Sequence, residues 1–232
     1  MQTLIEIGTV ILGYIIGSIP FGLLIVKIKT GKDLREIESG RTGGTNTVRA
    51  AGFGAGLLTA ILDVLKGAVS VWIAQKLGPE NNLLHVLAPV AAILGHNHSI
   101  FLISRDEDGK LRFHGGAGGA TALGGAVGLW PPMFPIIFGA GALIWFTVGI
   151  ASVATMTIGL FVTIVFAIRA YMGLQNPVDI LYGVLALMIT VWALRPNIKK
   201  LVEGNERVIK YSLHGWLRSR KEHPIETNTD KP

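Results

Sequence analysis

The sequence predicts an all-α integral membrane protein of about seven transmembrane helices, with its N-terminus outside and its C-terminus in the cytoplasm. Three observations carry that prediction. Half of the 232 residues are hydrophobic and 16% are charged, where a soluble domain carries about 25% charged residues. Mean hydropathy is +0.51, and the apolar residues fall in long blocks rather than amphipathic stripes, as helices surrounded by lipid require. Lysine and arginine crowd into one set of loops, and that asymmetry sets orientation.

The apolar blocks place spans at roughly 4–26, 54–75, 83–103, 117–131, 133–150, 152–171 and 178–194. No basic stretch precedes the first block and no small-residue cleavage site follows it, so it reads as a retained helix. The third block carries His96, Asn97 and His98 near its end. Trp130-Pro131-Pro132 forces a break between the fourth and fifth, and six spans or re-entrant helices also fit this region. Loops 27–53 and 104–116 and the segment 195–232 hold 18 of the 21 Lys and Arg residues. The positive-inside rule puts that side in the cytoplasm and requires an odd number of spans. One domain is expected over 1–215, followed by a polar tail over 216–232 without fixed structure. Thirty glycines suit close helix packing. The absence of cysteine excludes disulfides and thiolate metal sites. The net charge of +6 is explained by membrane-flanking loops and is not a nucleic-acid signature.

Four segments on the cytoplasmic side could carry chemistry. Glu38 to Arg49 combines glycines, which let the backbone form a nest of N–H groups, with hydroxyls and two guanidinium forks suited to phosphate. The same composition also describes a flexible, topology-setting loop. Asp63 and Lys66 lie three apart on one helix face and can pair. Charges inside a span usually face the bundle interior, as a structural pair or as part of a site. His96-Asn97-His98 has no third ligand at suggestive spacing, so no metal is expected. The glycine run after His114 could open a helix whose N-terminus favours an anion, or could simply serve helix packing. The stretch from Arg195 to Glu206, with a helix end at Gly204, reads alone as an ordinary basic flank. Together the four segments suit a pocket for a phosphorylated substrate at the lipid boundary.

An ordered set of residues then carries a resemblance. Gly17-Ser-Ile-Pro-Phe-Gly22 is followed by Ser39-Gly-Arg-Thr-Gly-Gly-Thr-Asn46 with Arg49. Asp63, Lys66 and Gly67 come next, then Gly95-His96, Gly115-Gly-Ala-Gly118, Ala120-Thr121, Asn197-Ile198, Gly204 and Glu206. Over about residues 10–210 the chain resembles the bacterial PlsY-type acyl-phosphate:glycerol-3-phosphate acyltransferases. The resemblance implies a seven-helix fold in the bacterial inner membrane, acting as a monomer without metal or other cofactor. It implies acyl transfer from acyl-phosphate to the 1-hydroxyl of glycerol 3-phosphate, giving lysophosphatidic acid. The donor phosphate would itself take the hydroxyl proton, so no side chain need act as acid or base. It further implies substrate binding by Ser39, Gly40, Arg41, Gly43, Thr45, Asn46, Gly115, Gly116 and Gly118. Arg49 and Asn197 would position glycerol 3-phosphate, with Ser152 beside them, and Asp63, Lys66, His96 and Glu206 would support the site. The chain departs from the family pattern at Arg41 for asparagine, Ala117 for lysine, Gly149 for serine and Leu194 for histidine, and 104–112 looks inserted. Arg41 could replace the cation that Ala117 lacks. The departures also motivate a second reading, a non-catalytic or altered paralogue that binds a phosphorylated lipid or acyl-phosphate. A small-solute transporter is a third reading. It predicts polar residues through the depth of the membrane, whereas here they gather at one end.

Overall fold

Proline 20 divides the first apolar block. The structure, a computed structural model, describes residues 1–209 and 212–222. It places helix α1 at Gln2–Ser18 and α2 at Phe21–Thr30. Pro20 lacks an N–H and pushes Ile19 into an extended conformation, φ −60° and ψ 117°. The single span expected over 4–26 is therefore a broken one. A short helix α3 (Gly44–Ala51) follows a loop, then come α4 (Phe53–Leu77) and α5 (Asn82–Asn97). Strands β1 (Ile103–Arg105) and β2 (Leu111–Phe113) form an antiparallel hairpin in the stretch that looked inserted. Helices α6 (Gly119–Leu129), α7 (Met133–Thr147), α8 (Ala151–Tyr171) and α9 (Val178–Val202) complete the bundle.

Five segments among the described residues are long and apolar enough to cross a bilayer, which makes this a multi-pass membrane protein. The helices α6 and α7 are shorter, about 16 and 22 Å at 1.5 Å per residue, against a hydrocarbon core of about 30 Å. Most of α6 is buried, so it lies inside the bundle rather than against lipid. α9 runs past its expected end at 194. Pro196 loses one helical hydrogen bond but does not stop the helix. Another short helix, α10 (Leu213–Glu222), occupies part of the tail expected to lack structure. Ser212 starts it as an N-cap, its Oγ accepting from Gly215 N at 3.0 Å. Residues 223–232 lie outside the described residues.

The core gathers around α5, α6, α8 and α9. Ile93, Ala126, Val162, Phe166 and Tyr182 are among its fully buried residues. The Tyr182 hydroxyl donates to the Ala122 carbonyl at 2.6 Å. Two crossings bring backbone against backbone. A Cβ at Gly17 or Gly95 would strike the facing helix of the α1–α5 pair, at the Ala92 and Tyr14 carbonyls respectively. One at Gly124 would strike the Val64 carbonyl of α4. Gly124→Ala is therefore expected to destabilise the fold by about 3 kcal/mol, because backbone cannot yield as a side chain can. Gly8→Ala, which meets nothing within 4 Å, should be neutral. Unfolding midpoints in detergent compare the two, and equal midpoints would contradict the packing argument.

Candidate active site

Two polar clusters form at one end of the bundle. The first joins the loop before α3 to the far end of α9. Arg41 is half-buried, and its Nη2 donates to the Ala193 carbonyl and to Asn197 Oδ1, both at 2.8 Å. Asn197 Nδ2 donates to Glu206 Oε1 at 2.9 Å, and Ser152 Oγ donates to the same oxygen at 3.1 Å. Burial pulls the Arg41 guanidinium below its ordinary pKa, and the Glu206 carboxylate opposes that shift. Arg41 Nη1 is buried with no hydrogen-bond partner, a costly state for a charged donor unless an acceptor arrives.

The second cluster lies deeper. Lys66 Nζ sits 2.9 Å from Asp63 Oδ1, 3.2 Å from the Ile19 carbonyl and 2.7 Å from His96 Nδ1. An ammonium has three protons, and here three acceptors surround it. The break at Pro20 makes the Ile19 carbonyl available for this. When Lys66 is charged it donates to His96 Nδ1, which leaves the ring proton on Nε2, and that atom occupies the space where a Cβ of Gly116 would lie. A buried imidazole therefore presents an N–H toward the Gly115–Gly118 loop. His98 is exposed, so the two histidines do not converge.

Backbone bonds tie the clusters together. Thr42 N donates to the Gly115 carbonyl at 3.2 Å, and Gly116 N donates to the His96 carbonyl at 2.9 Å. The glycines at 115 and 116 are required sterically, since a Cβ on either would strike His96 or Asn97. The Gly116 N–H is engaged within the protein by the His96 carbonyl. Gly118 has φ +88° and precedes α6, whose first N–H groups lack helical acceptors.

The loop over 33–43 has its own supports. Asp33 accepts from Arg35 N at 2.9 Å and from its guanidinium, which holds the carboxyl down at about 2. Asn46 was expected to touch substrate. Instead it is buried, and its Nδ2 holds the carbonyls of Leu34, Ile37 and Arg41 at 3.3, 2.9 and 2.9 Å. Asn46 thus shapes the loop that carries Arg41. Gly40, at φ +68°, makes the turn before Arg41. Gly43 caps α3, and the first N–H groups there point out of the helix beside Thr45. Ser39 is exposed, its Oγ 3.5 Å from Arg41 N. Arg49 is exposed on α3 and its side chain makes no hydrogen bond or ion pair among the described residues. Ser39 reaches the first cluster only at the backbone N–H of Arg41, and among the described residues no side-chain hydrogen bond or ion pair joins Thr45 or Arg49 to either cluster.

One departure has a local explanation. Gly149 has φ +69°, and a Cβ there would strike Ser212, which leads into α10. Leu194 is buried, and nothing in the structure explains why it stands for histidine. Asn97 and Thr121 were missed as site candidates. Both are buried, with the Asn97 amide atoms and the Thr121 hydroxyl unpartnered, and the Asn97 amide lies against Gly118. Their sequence signals are slight: Asn97 is a neutral polar residue near the end of an apolar block, and Thr121 follows the glycine run.

Comparison with known proteins gives the family. The family described as glycerol-3-phosphate acyltransferase matches residues 7–204. The glycerol-3-phosphate acyltransferase of Rubrobacter xylanophilus is 35% identical over 204 residues, 88% of this chain and 95% of the relative. That of Thermus thermophilus is 35% identical over 202 residues, covering 87% and 94%. The crystal structure of PlsY, an integral membrane glycerol 3-phosphate acyltransferase, in its glycerol 3-phosphate form superposes with a TM-score of 0.74 at 29% identity. That match covers 88% of this chain and 95% of the other. The lysophosphatidic acid form gives 0.73 at 28%, covering 89% and 96%. The chain belongs to the glycerol-3-phosphate acyltransferase family.

Proposed function

We propose that the protein transfers an acyl chain from acyl-phosphate to the 1-hydroxyl of glycerol 3-phosphate, giving lysophosphatidic acid and inorganic phosphate. The hydroxyl oxygen attacks the acyl carbonyl carbon, the carbon–oxygen bond to phosphate breaks, and the hydroxyl proton leaves with the phosphate. The protein contributes position and positive charge. The observation that carries this reading is the buried, unpartnered Nη1 of the half-buried Arg41, a cationic donor waiting for an oxyanion. Its neighbours suit the same task. The first N–H groups of α3 and α6 favour anions, and the His96 Nε2–H faces the glycine loop. Asn197 and Ser152, both held by Glu206, face the acceptor. Arg49, Ser39 and Thr45 complete the phosphate contacts on the solvent side. The site works at the cytoplasmic face of the bacterial inner membrane, in a monomer of seven crossings with its N-terminus outside. The charge asymmetry of the loops supports that orientation.

Phosphate release by the detergent-purified protein tests the reaction, given a long-chain acyl-phosphate with and without glycerol 3-phosphate. Release that depends on the acceptor, with lysophosphatidic acid formed, is expected from the wild type and from Ala117→Lys. A silent wild type beside an active Ala117→Lys variant would mean that the pocket survives and this chain has lost the reaction. Silence in both, with a lysine-containing relative active in the same assay, would leave only a binding role.

A further inference from the structure

The β1–β2 hairpin joins α5 to the glycine loop and shows a sided chemistry that the reaction does not use. Ile103 pairs with Phe113, and Arg105 with Leu111. Alternation along a strand puts these four residues on one face. Ile103, Leu111 and Phe113 are exposed, Leu111 by 59%. Arg105 is exposed, and its side chain has no partner among the described residues. The other face is satisfied internally: Ser104 Oγ lies 2.8 Å from His114 Nε2, and Arg112 pairs with Asp106 at 3.2 Å. A two-stranded hairpin with an uncovered apolar face is marginally stable in water.

The apolar face follows directly along the chain from a segment long and apolar enough to cross a bilayer. The span Asn82–Leu102 ends in exposed Ile100 and Phe101, immediately before β1. The hairpin base is pinned there, with Ser99 N donating to the His114 carbonyl at 3.1 Å and His114 N to the Leu102 carbonyl at 3.2 Å. Charge increases away from the base. The turn holds Asp106, Glu107, Asp108 and Lys110, and the Asp106 carboxylate accepts from Lys110 N at 2.8 Å. Three-residue strands carry the chain about 7–10 Å, comparable to the head-group layer on one side of a bilayer.

We propose that this hairpin docks on the lipid leaflet at the site's end of the bundle. Ile103, Leu111 and Phe113 would lie at the acyl-chain boundary, with Arg105 at the phosphates and the acidic turn in water. The glycine loop, one residue beyond His114, is thereby held at head-group depth. A second copy of the chain would explain the apolar face but not the gradient from apolar base to charged tip. The proposal rests on the membrane location alone and does not require acyl transfer.

The chain has no cysteine, so Ile103→Cys, Phe113→Cys and Asp108→Cys each give one labelling site for an environment-sensitive fluorophore. The full-length variants are reconstituted in vesicles of phosphatidylethanolamine and phosphatidylglycerol. Labels at 103 and 113 should be quenched several-fold more by a spin-labelled lipid than the label at 108, and iodide in the buffer should reverse that order. Equal iodide quenching at all three positions would overturn the proposal in favour of a solvated loop. Shielding of 103 and 113 from both quenchers would overturn it in favour of a protein partner. Either of the two apolar positions suffices if the other variant fails to fold.

Discussion

Arg41→Asn is expected to lower kcat/KM for acyl transfer by about 100- to 1,000-fold, or roughly 3–4 kcal/mol. The guanidinium does two jobs at once. Nη2 fastens the loop before α3 to α9 through the Ala193 carbonyl and Asn197, and Nη1 is left buried and unpartnered. An asparagine cannot span that gap, so the loop loses its tie and the pocket loses a cation. Arg41→Lys separates the two effects. It keeps the charge but has one nitrogen where arginine has two well apart, so it cannot hold α9 with one and offer the other to phosphate; a loss of about tenfold is expected, with KM for the anionic substrate rising more than kcat falls. Steady-state rates over both substrates, alongside the unfolding midpoint, provide the check. If Arg41→Asn keeps full activity with an unchanged midpoint, Arg41 is not the phosphate cation.

The element pattern was legible because lipid imposes a simple rule. Long apolar blocks must be helices, and the ends of α4, α8 and the start of α9 fall within about two residues of where hydropathy alone puts them. What hydropathy misread were points where one residue overrides the block. Pro20 splits α1 from α2, Pro196 fails to stop α9, and Ser212 starts a helix in a polar tail. The Asp63–Lys66 pair was legible as a contact three residues apart on one helix. Its third partner was not, since the Ile19 carbonyl becomes available only through the break at Pro20. The Arg41–Asn197 bond joins residues 156 positions apart. No local pattern announces it: the charge topology put both segments on one membrane face, and nothing in the sequence pairs these two side chains. Asn46 carries a role that motif membership does not announce: its Nδ2 holds three carbonyls of the loop, while its Oδ1 is buried and unpartnered.

Lys66→Met is expected to destabilise the folded protein by about 3–5 kcal/mol, because it leaves the Asp63 carboxylate buried without its counter-ion. Asp63→Asn should cost less. The ammonium keeps the Ile19 carbonyl and His96, and the amide can still accept from it. The double variant Asp63→Leu with Lys66→Met removes both charges at similar volume and should recover much of the loss, a coupling that a double-mutant cycle on unfolding midpoints measures. A Lys66→Met midpoint equal to wild type would show that the pair contributes nothing to the fold. Activity adds a distinction that stability cannot. In the wild type a charged Lys66 beside Nδ1 favours the His96 tautomer with its proton on Nε2, facing Gly116. Without Lys66 either ring nitrogen can carry that proton, so a donor aimed at the glycine loop is no longer guaranteed. The double variant should therefore be well folded and still slow, with kcat reduced and the KM for glycerol 3-phosphate little changed. Recovery of both midpoint and kcat would make the triad purely structural. Recovery of the midpoint alone would assign His96 a part in holding the transition state, delivered through a lysine that never touches substrate.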